Sequence, residues 1–219
     1  MSRLFASEMF LKPIALVTAS LMLSTMWLTR NAFSEPAVKI PNGLSAAQYE
    51  AMGEDLKLKG WTEDARDALG RAIKADPKGA VGKKAAIYLR AYIPRNPVPQ
   101  AAVQQNIAGF NQAAAGKTKQ AMETFKACIK AYPTFEWPYS NLGGQYSLLG
   151  QYPQAETCFK QALAINPSYV NAWITLAGVY YKQNNIAACR NSLNKALAVD
   201  PDCEQAKRLL ARFTSTKSR

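Results

Sequence analysis

The sequence contains no histidine among its 219 residues. This absence removes the side chain whose ordinary pKa best suits acid–base chemistry at neutral pH, together with every Ser-His, Cys-His and His-metal arrangement. The four cysteines, Cys128, Cys158, Cys189 and Cys203, include no C-x-x-C pair, which argues against a zinc ribbon or a redox pair. A glycine-rich phosphate loop is also missing. We therefore predict a protein that is not an enzyme, with no catalytic residues, no metal site and no cofactor.

The composition is that of a globular chain with an excess of positive charge. Apolar residues make up 48% and charged residues 19%, unlike the low hydrophobicity and high charge of disordered chains. The 27 Lys and Arg residues exceed the 15 Asp and Glu residues, giving a formal charge of +12. Such a charge favours attraction to anionic partners and does not bear on the fold.

The N-terminus has the features of a targeting segment. Residues 13–28 form an apolar run without any charged residue. As a helix this run would extend about 24 Å, less than the roughly 30 Å hydrocarbon layer of a bilayer. Ala32 and Ser34 then supply the small residues of a signal-peptide cleavage site. We expect residues 1–34 to be a cleaved signal peptide of a periplasmic or secreted protein; the alternative is a membrane anchor formed by residues 13–28.

The rest of the chain repeats with a period marked by proline. Pro133, Pro167 and Pro201 follow one another at intervals of thirty-four positions, and Pro77 lies fifty-six positions before Pro133. Each proline is preceded by a large apolar residue eight positions earlier and by a small residue twenty-four positions earlier. Seventeen positions before the prolines lie Gly60, Gly116, Gly150 and Asn184. Gly and Asn tolerate the left-handed conformation that closes a helix, so the pattern predicts two helices of about 14 residues joined at each of these positions.

This pattern resembles the tetratricopeptide repeat (TPR) family over about residues 46–203. The fullest match is the unit with Trp137, Tyr146, Gly150, Ala155, Phe159, Ala162 and Pro167. The resemblance implies an all-α fold, in which antiparallel helix hairpins stack into a right-handed superhelical solenoid. It also implies that the concave surface, formed by the first helix of each hairpin, holds an extended peptide or a partner helix.

The repeats and the insert between them predict the domain organisation. The additional segment between Pro77 and Pro133 is predicted to form a lone helix followed by an exposed, Pro-rich connector. The predicted segments are a signal peptide or anchor (1–34), a linker (35–45), a first repeat (46–79), the inserted helix and connector (80–101), three contiguous repeats (102–135, 136–169 and 170–203), and a capping helix with a tail (204–219).

Stacking the three contiguous repeats by their period, in the way the resemblance implies, predicts the binding residues. They are Asn106, Phe110, Trp137, Ser140, Gly144, Asn171, Ile174, Gly178, Tyr181, Lys182, Arg208 and Arg212. For Trp137 and Tyr181, packing in the core is an equal alternative. Phe110 and Gly144 stand where the family's clamp for a terminal carboxylate has asparagines, so that binding mode is not implied.

Two further questions stay open at the level of sequence. Cys128 and Cys189 occupy small-residue core positions, so packed thiols are favoured, although export would also allow a disulfide. A basic cluster lies around the insert, at Lys78, Lys83, Lys84, Arg90 and Arg95. It offers an alternative function, binding to an anionic envelope surface or to nucleic acid, but export argues against nucleic acid. The favoured partner is another protein or a peptide.

Overall fold

Helices form all of the regular structure that is described. The computed structural model describes residues 38–214, with side chains up to residue 212, and this part contains ten helices and no strand. They are α1 (Ala46–Leu58), α2 (Thr62–Ala75), α3 (Ala80–Tyr92), α4 (Gln100–Ala114), α5 (Thr118–Ala131), α6 (Glu136–Leu148), α7 (Tyr152–Ile165), α8 (Val170–Lys182), α9 (Ile186–Val199) and α10 (Glu204–Thr214). The prediction of an all-α fold is confirmed.

The turns inside the hairpins lie where the periodicity predicts them. Gly60, Gly116 and Gly150 have φ of +79°, +75° and +73°, and Asn184 has φ of +59°. These residues join α1 to α2, α4 to α5, α6 to α7 and α8 to α9. Left-handed backbone strains most side chains, which explains why only Gly and Asn occupy this repeat position.

Small residues allow the two helices of each hairpin to approach closely. A Cβ added to Gly109 would lie 2.6 Å from the ring of Phe125, and one added to Gly143 would lie 3.1 Å from the ring of Phe159. Both rings are 1% exposed. The large apolar position of the second helix is therefore filled by a side chain that packs directly on the backbone of the first helix.

The hairpins stack through adjacent helices along the chain, and α10 packs on α9. Ala206 of α10 is buried in one cluster with Leu193 and Cys203, whereas Lys207 and Arg208 are exposed. The helix thus covers the apolar end of the last repeat and presents a polar outer face, as a terminal cap requires.

The predicted linker and the predicted connector each contribute apolar residues to the core. Ile40, in the predicted linker, is buried against the first repeat, and its carbonyl accepts a hydrogen bond from Arg71. In the predicted connector, Ile93 is 1% and Val98 is 5% exposed. The expectation of an exposed connector is therefore wrong in part: Pro94 is buried as well, whereas Pro97 and Pro99 are exposed. Apolar residues between the prolines are drawn into the cores of neighbouring repeats.

The four cysteines are all buried and free. Burial raises the pKa of the Cys128, Cys158 and Cys189 thiols to about 11. At neutral pH these thiols stay protonated and pack as small apolar groups.

The predicted signal peptide, the alternative anchor and the end of the predicted tail lie outside the described residues. Among residues 38–214, no helix is both long enough and apolar enough to cross a membrane.

Candidate functional site

The first helices of the three contiguous repeats, α4, α6 and α8, lie side by side and form one inner face. Contacts join α4 to α6 and α6 to α8. The side chain of Asn141 in α6 donates a hydrogen bond of 2.8 Å to Oδ1 of Asn106 in α4. The constant period of the repeats places equivalent positions of the three helices at the same level of this face.

The inserted helix α3 covers one end of this arrangement. Ala91 is completely buried in the same apolar cluster as Val170 and Ile174 at the start of α8. The hydroxyl of Tyr92 donates a hydrogen bond of 2.5 Å to Asp200, and the guanidinium of Arg90 donates one of 2.9 Å to the carbonyl of Val199. Burial, followed by the hydrogen bond to Asp200, raises the pKa of Tyr92, so its hydroxyl remains a donor at neutral pH.

The other end of α3 is joined to the first repeat. The Lys84 ammonium lies 2.5 Å from Glu50 and 3.4 Å from Glu54, both in α1. Asp76 accepts hydrogen bonds from the backbone N–H groups of Gly79 and Gly82. The helix therefore connects the first repeat to the last one and contacts both.

The connector after α3 is held by Glu136, the first residue of α6. Its Oε1 accepts a hydrogen bond of 2.9 Å from the backbone N–H of Arg95 and one of 2.7 Å from the side chain of Asn166. Burial raises the pKa of the Glu136 carboxyl, and the bonds from Asn166 and Arg95 and the charge of Arg66 act in the opposite direction. The buried carboxyl thus ties the connector to the turn between two repeats.

Contacts with the first repeat complete the attachment of the connector. Arg66 in α2 donates a hydrogen bond of 2.5 Å to the carbonyl of Pro94. Glu63, also in α2, accepts one of 3.3 Å from the backbone N–H of Val98. The side chain of Asn96 donates one of 3.2 Å to the carbonyl of Thr134. These contacts attach the connector to the N-terminal part of α2 and to the segment just before α6.

Four of the twelve predicted binding residues are buried, namely Asn106, Ser140, Ile174 and Gly178. Asn106 is turned toward α6, and Ile174 packs in the cluster that includes Ala91 of α3. Their burial argues against direct contact with a partner, and binding by the twelve residues stays a prediction.

Trp137 is only half-buried. Its ring packs on Phe135 with centroids 5.5 Å apart, and its Nε1 atom is buried. Between the two alternatives left open by the sequence, the structure favours the core for Trp137.

The remaining predicted residues are accessible and lie mostly at the opposite end of the inner face. Phe110 is 52% and Tyr181 is 37% exposed. A Cβ added to Gly144 would meet no atom within 4 Å, so this position faces open space. The other exposed members are Asn171, Lys182, Arg208 and Arg212.

The sequence prediction misses three exposed leucines and the covering role of α3. Leu58, Leu148 and Leu149 are 77%, 55% and 52% exposed. Their position just before a turn glycine, where a hairpin has no need for a large apolar residue, is the signal that could have revealed them. Nothing in the repeat register indicates where α3 packs.

A cleft of about 350 Å³ lies on the other side of the stack, between α7, α8 and α9. Trp173, Tyr180 and Leu163 line it, and the Lys195 ammonium lies 5.1 Å from the centroid of the Trp173 ring. Among residues 38–214, no group of three His, Cys, Asp or Glu residues is arranged to hold a metal ion.

Comparisons with known proteins agree on the architecture. Two family models, both described as tetratricopeptide repeat, match residues 148–213 and 107–134. No curated protein matches the chain with significance.

Three solved structures are similar, each 19% identical in sequence. The first TPR of Spaghetti (RPAP3), bound to the HSP90 peptide SRMEEVD, has a TM-score of 0.51 and covers 55% of this chain and 95% of its own. The NMR structure of the first TPR domain of human RPAP3 has a TM-score of 0.50 and covers 52% and 90%. The Yersinia enterocolitica type III secretion chaperone SycD, in complex with a peptide of the translocator YopD, has a TM-score of 0.48 and covers 54% and 90%. At this identity the likeness is one of fold.

Proposed function

Because the chain is a tetratricopeptide-repeat protein, we propose that it is a non-enzymatic protein-interaction module that binds a peptide or a partner helix on the inner face of its repeats. The observation that carries this proposal is the exposure of two aromatic side chains predicted on that face, Phe110 and Tyr181. A half-exposed phenylalanine contributes little to folding, whereas aromatic side chains dominate the energetics of protein interfaces. The similar structure of the RPAP3 TPR, solved with a peptide bound, is consistent with this use of the fold.

We propose that the module acts outside the cytoplasm, as a scaffold or assembly adaptor of the cell envelope. The support for this location is the uncharged run 13–28 followed by Ala32 and Ser34. Mass spectrometry of the protein recovered from the exported fraction should find an N-terminus near Glu35. An intact N-terminus in a membrane fraction would instead favour the anchor formed by residues 13–28.

The test of binding compares the protein with its Phe110→Ala/Tyr181→Ala variant. Both are used to select from a displayed library of random dodecapeptides, and selected peptides are then measured by calorimetry. We expect the wild type to enrich peptides whose affinity falls about tenfold or more in the double variant. Failure to enrich any peptide, or equal affinity for both proteins, would contradict binding on the inner face.

The alternative function, attachment to an anionic surface through the cluster at residues 78–95, has weaker support. Lys84 of that cluster is already paired with Glu50 and Glu54, and Arg90 is bonded to Val199. Binding to vesicles with anionic lipids that disappears at moderate salt and is unaffected by the Phe110→Ala/Tyr181→Ala variant would favour this alternative.

A further inference from the structure

The exposed large apolar side chains share one location in the repeat. Within the described residues they are Leu58, Phe110, Leu148, Leu149 and Tyr181. Each lies in the last turns of the first helix of a hairpin or directly after it. Scattered exposed leucines need no explanation, but the concentration of these five side chains at the C-terminal ends of the first helices does.

Three of these side chains lie in two neighbouring hairpins, before the turns at Gly116 and Gly150. We define the turn edge as Phe110, Leu148 and Leu149 together with Lys117 and Lys119, the two lysines that follow Gly116. Because α4 and α6 lie side by side at an interaxial distance of about 8–10 Å, Phe110 and Leu148 lie within reach of one ligand. Gly144, one helical turn before Leu148, faces open space.

The opposite end of the inner face is partly covered. The connector and the end of α3 contact Glu136, Ile174 and Asp200, at the N-terminal ends of α6 and α8 and in the turn before α10. The turn edge is therefore open to a partner that approaches the inner face, since neither α3 nor the connector is seen to contact it.

The charge at the turn edge has one sign. Residues 110–119, 144–153 and 178–187 contain no Asp or Glu, and their charged residues are Lys117, Lys119 and Lys182. Lys117 and Lys119 are exposed, and neither has an ion-pair partner among the described residues. The next carboxylates along the second helices, Glu123 and Glu156, are paired with lysines at 3.1 Å and 2.7 Å.

We propose that the turn edge binds an acidic peptide segment that carries large apolar side chains and belongs to a partner protein. Apolar side chains of the segment cover Phe110 and Leu148 and occupy the open space at Gly144, and its carboxylates lie near Lys117 and Lys119. The apolar contacts supply affinity, and the charges supply orientation and a faster association. This inference rests on the proposed function and specifies the ligand class and the part of the face that is used.

The experiment uses the library selection on protein purified from cells that express the full chain. We expect the enriched dodecapeptides to have a net negative charge and at least two large apolar side chains. Leu148→Ser and the pair Lys117→Glu/Lys119→Glu should each weaken binding of these peptides about tenfold, with the loss in the lysine variant smaller at high salt.

Two matched controls keep the result specific. Leu58→Ser is the control for Leu148→Ser. Leu58 lies two positions before the turn glycine, as Leu148 does, but it belongs to the first hairpin and is outside the turn edge. Lys130→Glu reverses the charge of an exposed lysine at the other end of α5. Both controls should bind the selected peptides like the wild type, and thermal melting should show that all variants are folded.

Each other outcome overturns the inference. The selected peptides could depend on Phe110 and yet be neutral or basic, or they could bind the Leu148→Ser variant as tightly as the wild type. Either result would be compatible with the proposed function but would contradict binding of an acidic peptide at the turn edge. Absence of any selected peptide would remove both. Sedimentation showing a dimer that Leu148→Ser dissociates would assign the edge to a contact between copies of this chain instead.

Discussion

Phe110 and Phe125 belong to one hairpin and have opposite environments. Phe110 is 52% exposed, whereas Phe125 is 1% exposed and packs on the backbone of Gly109. We expect Phe125→Ala to lower the free energy of unfolding by about 3–5 kcal/mol, because it leaves a cavity between two helices. Phe110→Ala should change it by less than about 1 kcal/mol. Urea unfolding measures both, and equal losses would show that Phe110 is a core residue.

Gly109 and Gly144 lie in the interiors of two equivalent helices and should respond oppositely to the same substitution. A Cβ at position 109 would lie 2.6 Å from the buried ring of Phe125, whereas one at position 144 would meet no atom within 4 Å. Gly109→Ala should therefore destabilise the protein by about 1–3 kcal/mol through overpacking. Gly144→Ala should stabilise it by about 0.5–1 kcal/mol through helix propensity. A stabilised Gly109→Ala variant would contradict the close helix contact.

Glu136 should make stability depend on pH in a defined direction. Burial raises its pKa in the folded protein above the ordinary 4.5. The folded state thus disfavours the ionised form of Glu136. Its protonated form contributes stability that is fully present below about pH 4.5. This contribution is lost as the pH rises through the raised pKa of the folded state. Glu136→Gln removes this loss and can keep both bonds to Oε1. The difference in unfolding free energy, variant minus wild type, should therefore increase from acidic to neutral pH; a constant difference would contradict the raised pKa.

At the scale of elements, the connector should resist proteolysis although it is rich in proline. Ile93 and Val98 are buried, and Glu136 holds the backbone N–H of Arg95. In limited proteolysis we expect no early cleavage between residues 92 and 100 of the wild type. Glu136→Ala leaves the Arg95 and Asn166 donors without their acceptor, at a cost of about 2–4 kcal/mol, and should open this segment to cleavage.

The Glu136→Gln variant is the control for that experiment. It retains an acceptor oxygen for Arg95 and Asn166, so its cleavage pattern should match that of the wild type. Early cleavage of the wild type itself in residues 92–100 would mean that the connector is detached in solution.

The sequence predicts the hairpins well because their determinants are local and periodic. The left-handed turns require Gly or Asn, as at Gly60 and Asn184. Where two helices approach closely, a large ring such as that of Phe125 or Phe159 packs on the backbone. Each determinant recurs once in every repeat. The position of α3 has no such signal. Its contact between Tyr92 and Asp200 joins residues 108 positions apart and occurs once, outside the repeat register. The candidate site is predicted only in part for the same reason, since α3 covers Ile174.

At the scale of the whole molecule, α3 changes how a repeat protein is expected to unfold. An open solenoid is stabilised only by contacts between neighbouring repeats, and its two ends can unfold separately. Here Lys84 binds α1 while Tyr92 binds the turn after α9, so the first and last repeats share one helix. We therefore expect both ends to unfold in a single cooperative transition.

Two tryptophans report on the two ends. Trp61 lies at the start of α2, and Trp173 lies in α8. Two variants are compared, one with Trp61 and one with Trp173 as its single tryptophan, the other three tryptophans being replaced by phenylalanine. Both variants should unfold in urea with the same midpoint. Tyr92→Ala removes the hydrogen bond to Asp200 and the packing of the ring on the last repeat, so it should separate the midpoints, with Trp173 responding at the lower urea concentration. Different midpoints before that substitution would show that α3 does not couple the ends, because the repeats would then unfold as independent neighbours.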